Sequence, residues 1–210
     1  MAPIDLFKSA WSNDVGALRA ALAAGADPNE PHPRAGTLPL QLACQSDAIE
    51  SIDLLLEAGA RADVVFSPVC RVNGGLFLNR TPLMYARSVA AAQRLLDAGA
   101  QLDSADGNGW TALVWAAYSG DLALTAFLVD RGADLAVCPK FAKKSLGLCK
   151  FLKAVSELPP GAQETEAGKD RRLQLDAVRA FLMGQGNGGL LDRTLDARPP
   201  AARRRATPGR

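Results

Sequence analysis

Residues 111–134 read Thr111-Ala112-Leu113-Val114-Trp115-Ala116-Ala117-Tyr118-Ser119-Gly120-Asp121-Leu122-Ala123-Leu124-Thr125-Ala126-Phe127-Leu128-Val129-Asp130-Arg131-Gly132-Ala133-Asp134. Helical spacing puts Leu113, Trp115 and Ala116 on the apolar face of a first helix and Leu124, Phe127 and Leu128 on that of a second. Gly132 ends the pair, because glycine tolerates the positive φ that follows a helix. The closing phrase has three relatives upstream: Leu22-Ala23-Ala24-Gly25-Ala26-Asp27, Leu56-Glu57-Ala58-Gly59-Ala60 and Leu96-Asp97-Ala98-Gly99-Ala100. Their glycines and Gly132 stand 34, 40 and 33 residues apart. The opening phrase recurs as Leu38-Pro39-Leu40-Gln41-Leu42-Ala43-Cys44 and Thr81-Pro82-Leu83-Met84-Tyr85-Ala86. A period in this range marks an array of structural repeats.

A unit of 33 residues, with ten inserted before Thr81 and three deleted between Thr81 and Gly99, accounts for the interval of 40. Leu40/Leu42/Ala43 and Leu83/Tyr85/Ala86 then form the apolar faces of further first helices, and Ile52/Leu55/Leu56 and Leu95/Leu96 those of second helices. At the N-terminus Ile4 keeps the distance of 21 to Gly25 seen elsewhere, but Lys8 takes a place that other units bury, as a capping repeat requires. Lys144 falls 33 residues after Thr111 and precedes Leu146, Leu148 and Cys149, which predicts a helix to about Ser156 or Glu157. Pro159-Pro160-Gly161 stops it. Asp170–Met183 carries Leu173, Leu175, Val178, Phe181 and Leu182 at helical spacing and is read as the displaced second helix of that unit. The insertion at 64–80 has β-prone runs around an Asn73-Gly74 turn and is read either as a loop that covers a gap in the stack or as an extended finger hairpin that contacts a partner.

These phrases resemble ankyrin repeats over roughly residues 4–155 and more weakly over 170–185. The resemblance implies an all-α solenoid of about five helix-pair units joined by β-turn fingers, with units near 4–35, 36–78, 79–108, 109–141 and 142–185. The repeat domain is thus placed at 1–185 and a flexible basic tail at 186–210. The resemblance also implies a non-enzymatic module that binds a partner protein, of unknown identity, through its concave groove. In such stacks the finger residue before each opening phrase and the seventh and eighth residues after that phrase begins line the groove. Carried over, these are Thr37, Gln45 and Ser46; Arg80, Ser88 and Val89; Trp110, Tyr118 and Ser119. Pro3, Trp11, Ser12, Lys143, Phe151 and Leu152 hold the same places in the end units.

Arg80, Trp110, Tyr118, Gln45, Ser88 and Asn108 are the expected partner contacts. Trp110 follows Asp106-Gly107-Asn108-Gly109, a turn that needs glycine geometry rather than a packed ring, and Tyr118 lies past the buried face of its helix. Both rings are therefore expected in the groove, where Trp and Tyr carry a large share of binding energy. An alternative reading takes Trp11 and Phe151 as packing for the end units.

Composition narrows the function further. With 24 Lys and Arg against 22 Asp and Glu the net charge is +2, too small for a wholly basic surface. The sign comes from Arg198, Arg203, Arg204, Arg205 and Arg210, all after the last acid, Asp196. His32 is the one histidine, so no two-histidine metal site exists; flanked by prolines, it reads as an exposed loop residue. Cys44, Cys70, Cys138 and Cys149 show no zinc spacing and suit a reduced, cytoplasmic setting. Gly184-Gln185-Gly186-Asn187-Gly188-Gly189 matches G-x-G-x-x-G but follows a helix and precedes a Pro/Arg tail, so it reads as a linker. Asp103/Asp106 and Glu164/Glu166 are placed in a turn and a linker, where nothing apolar would perturb a carboxylate for acid–base work.

No cofactor, metal or catalytic constellation is expected, nor is nucleic-acid or membrane binding, and the chain is read as a monomer. Lys140, Lys143, Lys144, Lys150 and Lys153 form a run without acids and are read first as a solvated helix face. The alternative function is a nucleic-acid or anionic-membrane adaptor that uses this run and the arginine tail. An unrecognised enzyme is a further rival.

Overall fold

The computed structural model describes residues 5–33, 35–64, 80–135 and 166–184. Helices α1 (Leu6–Ser12) and α2 (Val15–Ala23) form the first pair, and α3 (Pro39–Ser46) and α4 (Ile49–Glu57) the second. A 3-10 turn, Pro82–Tyr85, stands before α5 (Val89–Asp97), and α6 (Ala112–Ser119) before α7 (Leu122–Asp130). The last element among the described residues, α8 (Glu166–Gly184), starts four residues before the expected Asp170. No strand occurs among the described residues.

The first members pack on one another in chain order, α1 on α3, α3 on the 3-10 turn and the turn on α6, and make an inner row. The second members make an outer row, α2 on α4, α4 on α5 and α5 on α7. Between the rows lies one continuous core. Leu40, Ile52, Leu55, Leu95, Leu113 and Leu128 are at most 1% exposed, and each contributes about 1.5–3 kcal/mol by leaving water. Ala43, Ala91, Ala92 and Ala117 are fully buried, so the small side chains let neighbouring helices approach closely. Lys8 is exposed, as the capping unit predicts. Burial pushes the Cys44 thiol pKa upward, and Asp47 adds to the shift, so Cys44 sits in the core as a small neutral residue.

Caps set the register. Asp5, Asp14, Ser88, Thr111 and Asp121 accept backbone N–H bonds at the starts of their helices. Gly25, Gly59, Gly99 and Gly132 close the outer helices at φ between 87° and 92°. Side chains then tie each unit to the next. Asn29 receives the Arg61 N–H at 2.9 Å and donates to the Gly59 carbonyl at 3.0 Å, while Asp103 receives the Asp134 N–H at 2.9 Å.

Two elements differ from expectation. The third inner element is a single 3-10 turn, not a helix. Ser88 must cap α5 to keep Leu95 in the core, and the three-residue deletion leaves room for only four residues after Thr81. Leu83 and Met84 are buried there, while Tyr85 and Ala86, expected on the apolar face, are half-buried. The second difference is α8, which packs on both α6 and α7 rather than continuing the outer row alone. Leu175, Val178 and Leu182 cover the end of the stack, and Leu173, expected at an apolar position, is 68% exposed.

Gly120 is where α8 comes closest. It caps α6 at φ 81°, and a Cβ there would lie 2.8 Å from Gln174 Cβ. Gly120→Ala is expected to cost about 1–2 kcal/mol in backbone strain alone, with a further loss as α8 is displaced. Urea unfolding checks it; a loss no larger than the strain alone would show that α8 does not seat there.

The fifth unit's first helix, the hairpin at 65–79, the lysine run, Phe151, Pro3, Cys70, Cys138, Cys149, Glu164 and the tail from 185 lie outside the described residues. Among the described residues no helix is long and apolar enough to cross a membrane.

Candidate functional site

The short third inner element leaves a gap between α3 and α6, and the gap is a cavity of about 500 Å³. Leu83, Met84, Ala112 and Ala116 form its apolar floor; Gln45, Arg87, Ser119, Asp121 and Gln174 stand at its polar edge, with Arg80, Tyr85 and Trp115 on the wall.

The wall is built on Asp106. This carboxylate opens the Asp-Gly-Asn-Gly turn, where its Oδ1 accepts the Asn108 N–H at 2.8 Å and the Trp110 N–H at 2.9 Å. Such a side-chain closure is what Asp contributes to tight turns. The Asp106 N–H donates to the Trp110 carbonyl at 2.9 Å and completes the finger. Oδ2 faces the stack: the Trp115 indole N–H donates to it at 3.4 Å, and Arg80 Nε lies 3.9 Å away. Asp106 is 3% exposed.

Arg80 lies flat on Trp115, its guanidinium carbon 3.6 Å from the ring centre and 5.5 Å from that of Tyr85. Stacking of this kind holds a cation against an aromatic face. The Arg80 carbonyl accepts from Gln41 Nε2 at 2.8 Å, which fastens the residue to α3. Burial pushes the Arg80 pKa down, against the opposing pull of Tyr85 and Asp106, and burial raises that of Tyr85. Behind Trp115 stand Trp110, at 4.4 Å between centres, and Tyr118, which meets Trp110 at 5.1 Å.

The six expected contacts therefore divide. Arg80 and Gln45 do line one cavity. Trp110, expected to be exposed, is 6% exposed and packs under Trp115, because Asp106 turns the finger back onto the stack. Tyr118 is half-buried against both indoles. Ser88 does not line the cavity; it caps α5 and donates to Asp47 at 2.6 Å. Asn108 stays in the turn, half-buried. Trp11, 48% exposed at the end of α1, is open surface rather than end packing. His32 is also more enclosed than expected: it is half-buried, meets Phe7 edge-on at 4.8 Å, and its Nδ1 accepts the Ala35 N–H at 3.1 Å.

Residues missed from the sequence carry much of the wall. Asp106 stood in the plain signal of an Asp-Gly-Asn-Gly turn, but its contacts to Arg80 and Trp115 come from other segments. Helical period placed Trp115 wholly in the core, whereas one edge faces the gap. Gln174, at least 50 residues from every other lining group, had no local signal. Glu166 begins α8 instead of lying in a linker.

An apolar floor with a rim of amide, guanidinium and hydroxyl groups is suited to recognition. Among the described residues no group of His, Cys, Asp and Glu could hold a metal ion.

The family model for ankyrin repeats in three copies matches residues 6–106 and again 69–137. The chain belongs to the ankyrin-repeat family. No curated protein matches it. Ankyrin repeats generally mediate protein–protein interactions and are typically non-enzymatic, so the paired rows and the inner-row cavity fall within a family of binding modules.

The Asp106 hub yields a direct test. Asp106→Asn keeps an acceptor for the turn but withdraws the charge beside the half-buried Arg80. The expected loss is about 2 kcal/mol, the scale for a hydrogen bond to a charged group, read as a lower urea midpoint with quenched or shifted tryptophan fluorescence. Unchanged fluorescence would show that Arg80 and Trp115 do not depend on Asp106.

Proposed function

We propose that this chain binds a partner protein along its inner row, with the cavity between α3, the 3-10 turn and α6 as the anchor. The observation that carries the reading is the open gap itself: Gln45, Arg87 and the edge of Trp115 surround an apolar floor, and Trp11 adds an exposed indole in the same row. A pocket lined in this way lets a partner bury a side chain against the stack. Trp110 and Tyr118 serve the surface from behind, by holding Trp115 in place. A cytoplasmic setting, in which Cys44 stays a thiol, belongs to the same proposal.

Capture from the native cells tests it. Trp11→Ala/Gln45→Ala/Arg87→Ala removes only exposed or half-buried groups and is compared with an outer-row control, Arg19→Ala/Glu57→Ala. The inner-row variant is expected to lose the captured protein by about 2 kcal/mol or more, as for hot-spot removal, with an unchanged melting temperature; the control should retain it. Equal capture by both variants would place the interface elsewhere.

A further inference from the structure

Where α3 and α6 each supply eight residues to the inner row, the third unit supplies four, and the gap stands in place of the missing turn. Its floor is apolar, but its rim holds opposite charges: Arg87, exposed at the mouth, and Asp121, whose Oδ1 accepts the Leu124 N–H at 2.9 Å. Neither has an ion-pair partner among the described residues. An occupant that matches the whole lining therefore brings apolar side chains with an anion and a cation beside them; a segment of one charge leaves the other unmatched.

The chain carries such a segment itself. Among residues 185–210 the large apolar side chains are Leu190, Leu191 and Leu195, and the first two run directly into Asp192-Arg193. The segment also starts close by. Gln174 of α8 stands at the rim, and Gly184 ends the helix ten residues on, about 15 Å further along its axis. Leu190 comes six residues after Gly184, a reach of about 20 Å when fully extended. The residues between, Gln185-Gly186-Asn187-Gly188-Gly189, are glycine-rich, and six residues of such a composition span about 12–15 Å r.m.s.. A tether whose span matches the distance it must bridge holds its end at millimolar effective concentration. The covalent link thus favours this segment over a free occupant of like chemistry.

We infer, on the basis of the inner-row binding proposed above, that residues 190–193 of the same chain dock in the gap and compete there with the partner. Leu190 and Leu191 take the apolar floor in place of the missing turn, Asp192 meets Arg87, and Arg193 meets Asp121. A volume of about 500 Å³ is of the size that holds a few side chains. The chain is then its own regulator: a partner reaches the anchor in the fraction of molecules whose gap is open.

Nuclear Overhauser contacts in the full chain test the docking with no partner present. The methyls of Leu190 and Leu191 are expected to contact the Trp115 ring and the Met84 methyl, and a mixture of labelled and unlabelled chains should show these contacts within one chain. Leu190→Asp/Leu191→Asp should abolish them and shift the Trp115 indole N–H resonance, assigned with Trp115→Phe. Arg87→Asp should lower the ratio of docked to free segment about two- to fivefold, the range for a solvent-facing ion pair, and Arg87→Asp/Asp192→Arg should restore it. In the capture experiment Leu190→Asp/Leu191→Asp should raise the apparent affinity about two- to tenfold, the factor expected when half to nine-tenths of the parent molecules are docked. Absent contacts, contacts between chains alone, a Trp115 resonance unmoved by the leucine variant, no restoration by the charge exchange, or unaltered capture would each overturn the inference. Inner-row binding fails by a different result, capture that does not depend on Trp11, Gln45 and Arg87.

Discussion

Leu113→Asp is expected to unfold more than its own helix. Leu113 is 1% exposed in α6, which packs on the 3-10 turn, on α7 and on α8. A carboxylate placed there meets no partner, and buried unpaired charges cost about 3–5 kcal/mol. In a stack where each unit buries its core only against its neighbours, that loss also removes the support of the adjoining units. Far-UV circular dichroism under urea should show a lower midpoint and a loss of helix beyond residues 112–119. Leu122→Asp is the control: Leu122 is 40% exposed at the start of α7, and a surface change there should stay within about 0.5 kcal/mol. A Leu113→Asp chain with the parent's midpoint would refute the place of α6 in the stack.

Trp110→Ala is expected to damage stability before it touches binding. The ring is 6% exposed and wedged against Trp115 and Tyr118. Truncating a buried tryptophan costs about 3–5 kcal/mol, from lost burial and from the void left behind. Arg80 should respond too, since the indole it lies on would lose its backing. Thermal unfolding of Trp110→Ala and Trp11→Ala separates buried from exposed: the first should melt well below the parent, the second, 48% exposed, close to it. Equal melting temperatures would mean that Trp110 is a surface residue after all.

Fold and site were legible to different degrees. Recurrence of Leu-Ala-Ala-Gly-Ala and Thr-Pro-Leu phrases located the glycines that end the outer helices, and Gly25, Gly59, Gly99 and Gly132 all take the positive φ that the pattern requires. The three-residue deletion was visible in the spacing, but its outcome was not. A deletion can be absorbed in a loop or in a helix, and the choice depended on Ser88 capping α5 and on Arg80 being tied to Gln41 across 39 residues.

Local pattern by itself determined the all-helical repeat, the buried leucines and alanines, and the ends of the helices, because each follows from 3.6-residue periodicity and glycine geometry within one unit. The resemblance to ankyrin repeats, rather than the pattern, brought Gln45 and Arg80 to the inner side. Tertiary structure alone decided which aromatic ring is open. Trp110 and Trp115 differ by five residues and both suit a groove or a core, but Asp106 bonds the Trp110 N–H and folds that ring inward, while Arg80 holds one face of Trp115 at the cavity wall. Those contacts join two units, so their energies are not written in any one stretch of chain; the cavity exists only once the neighbours of the missing turn are in place.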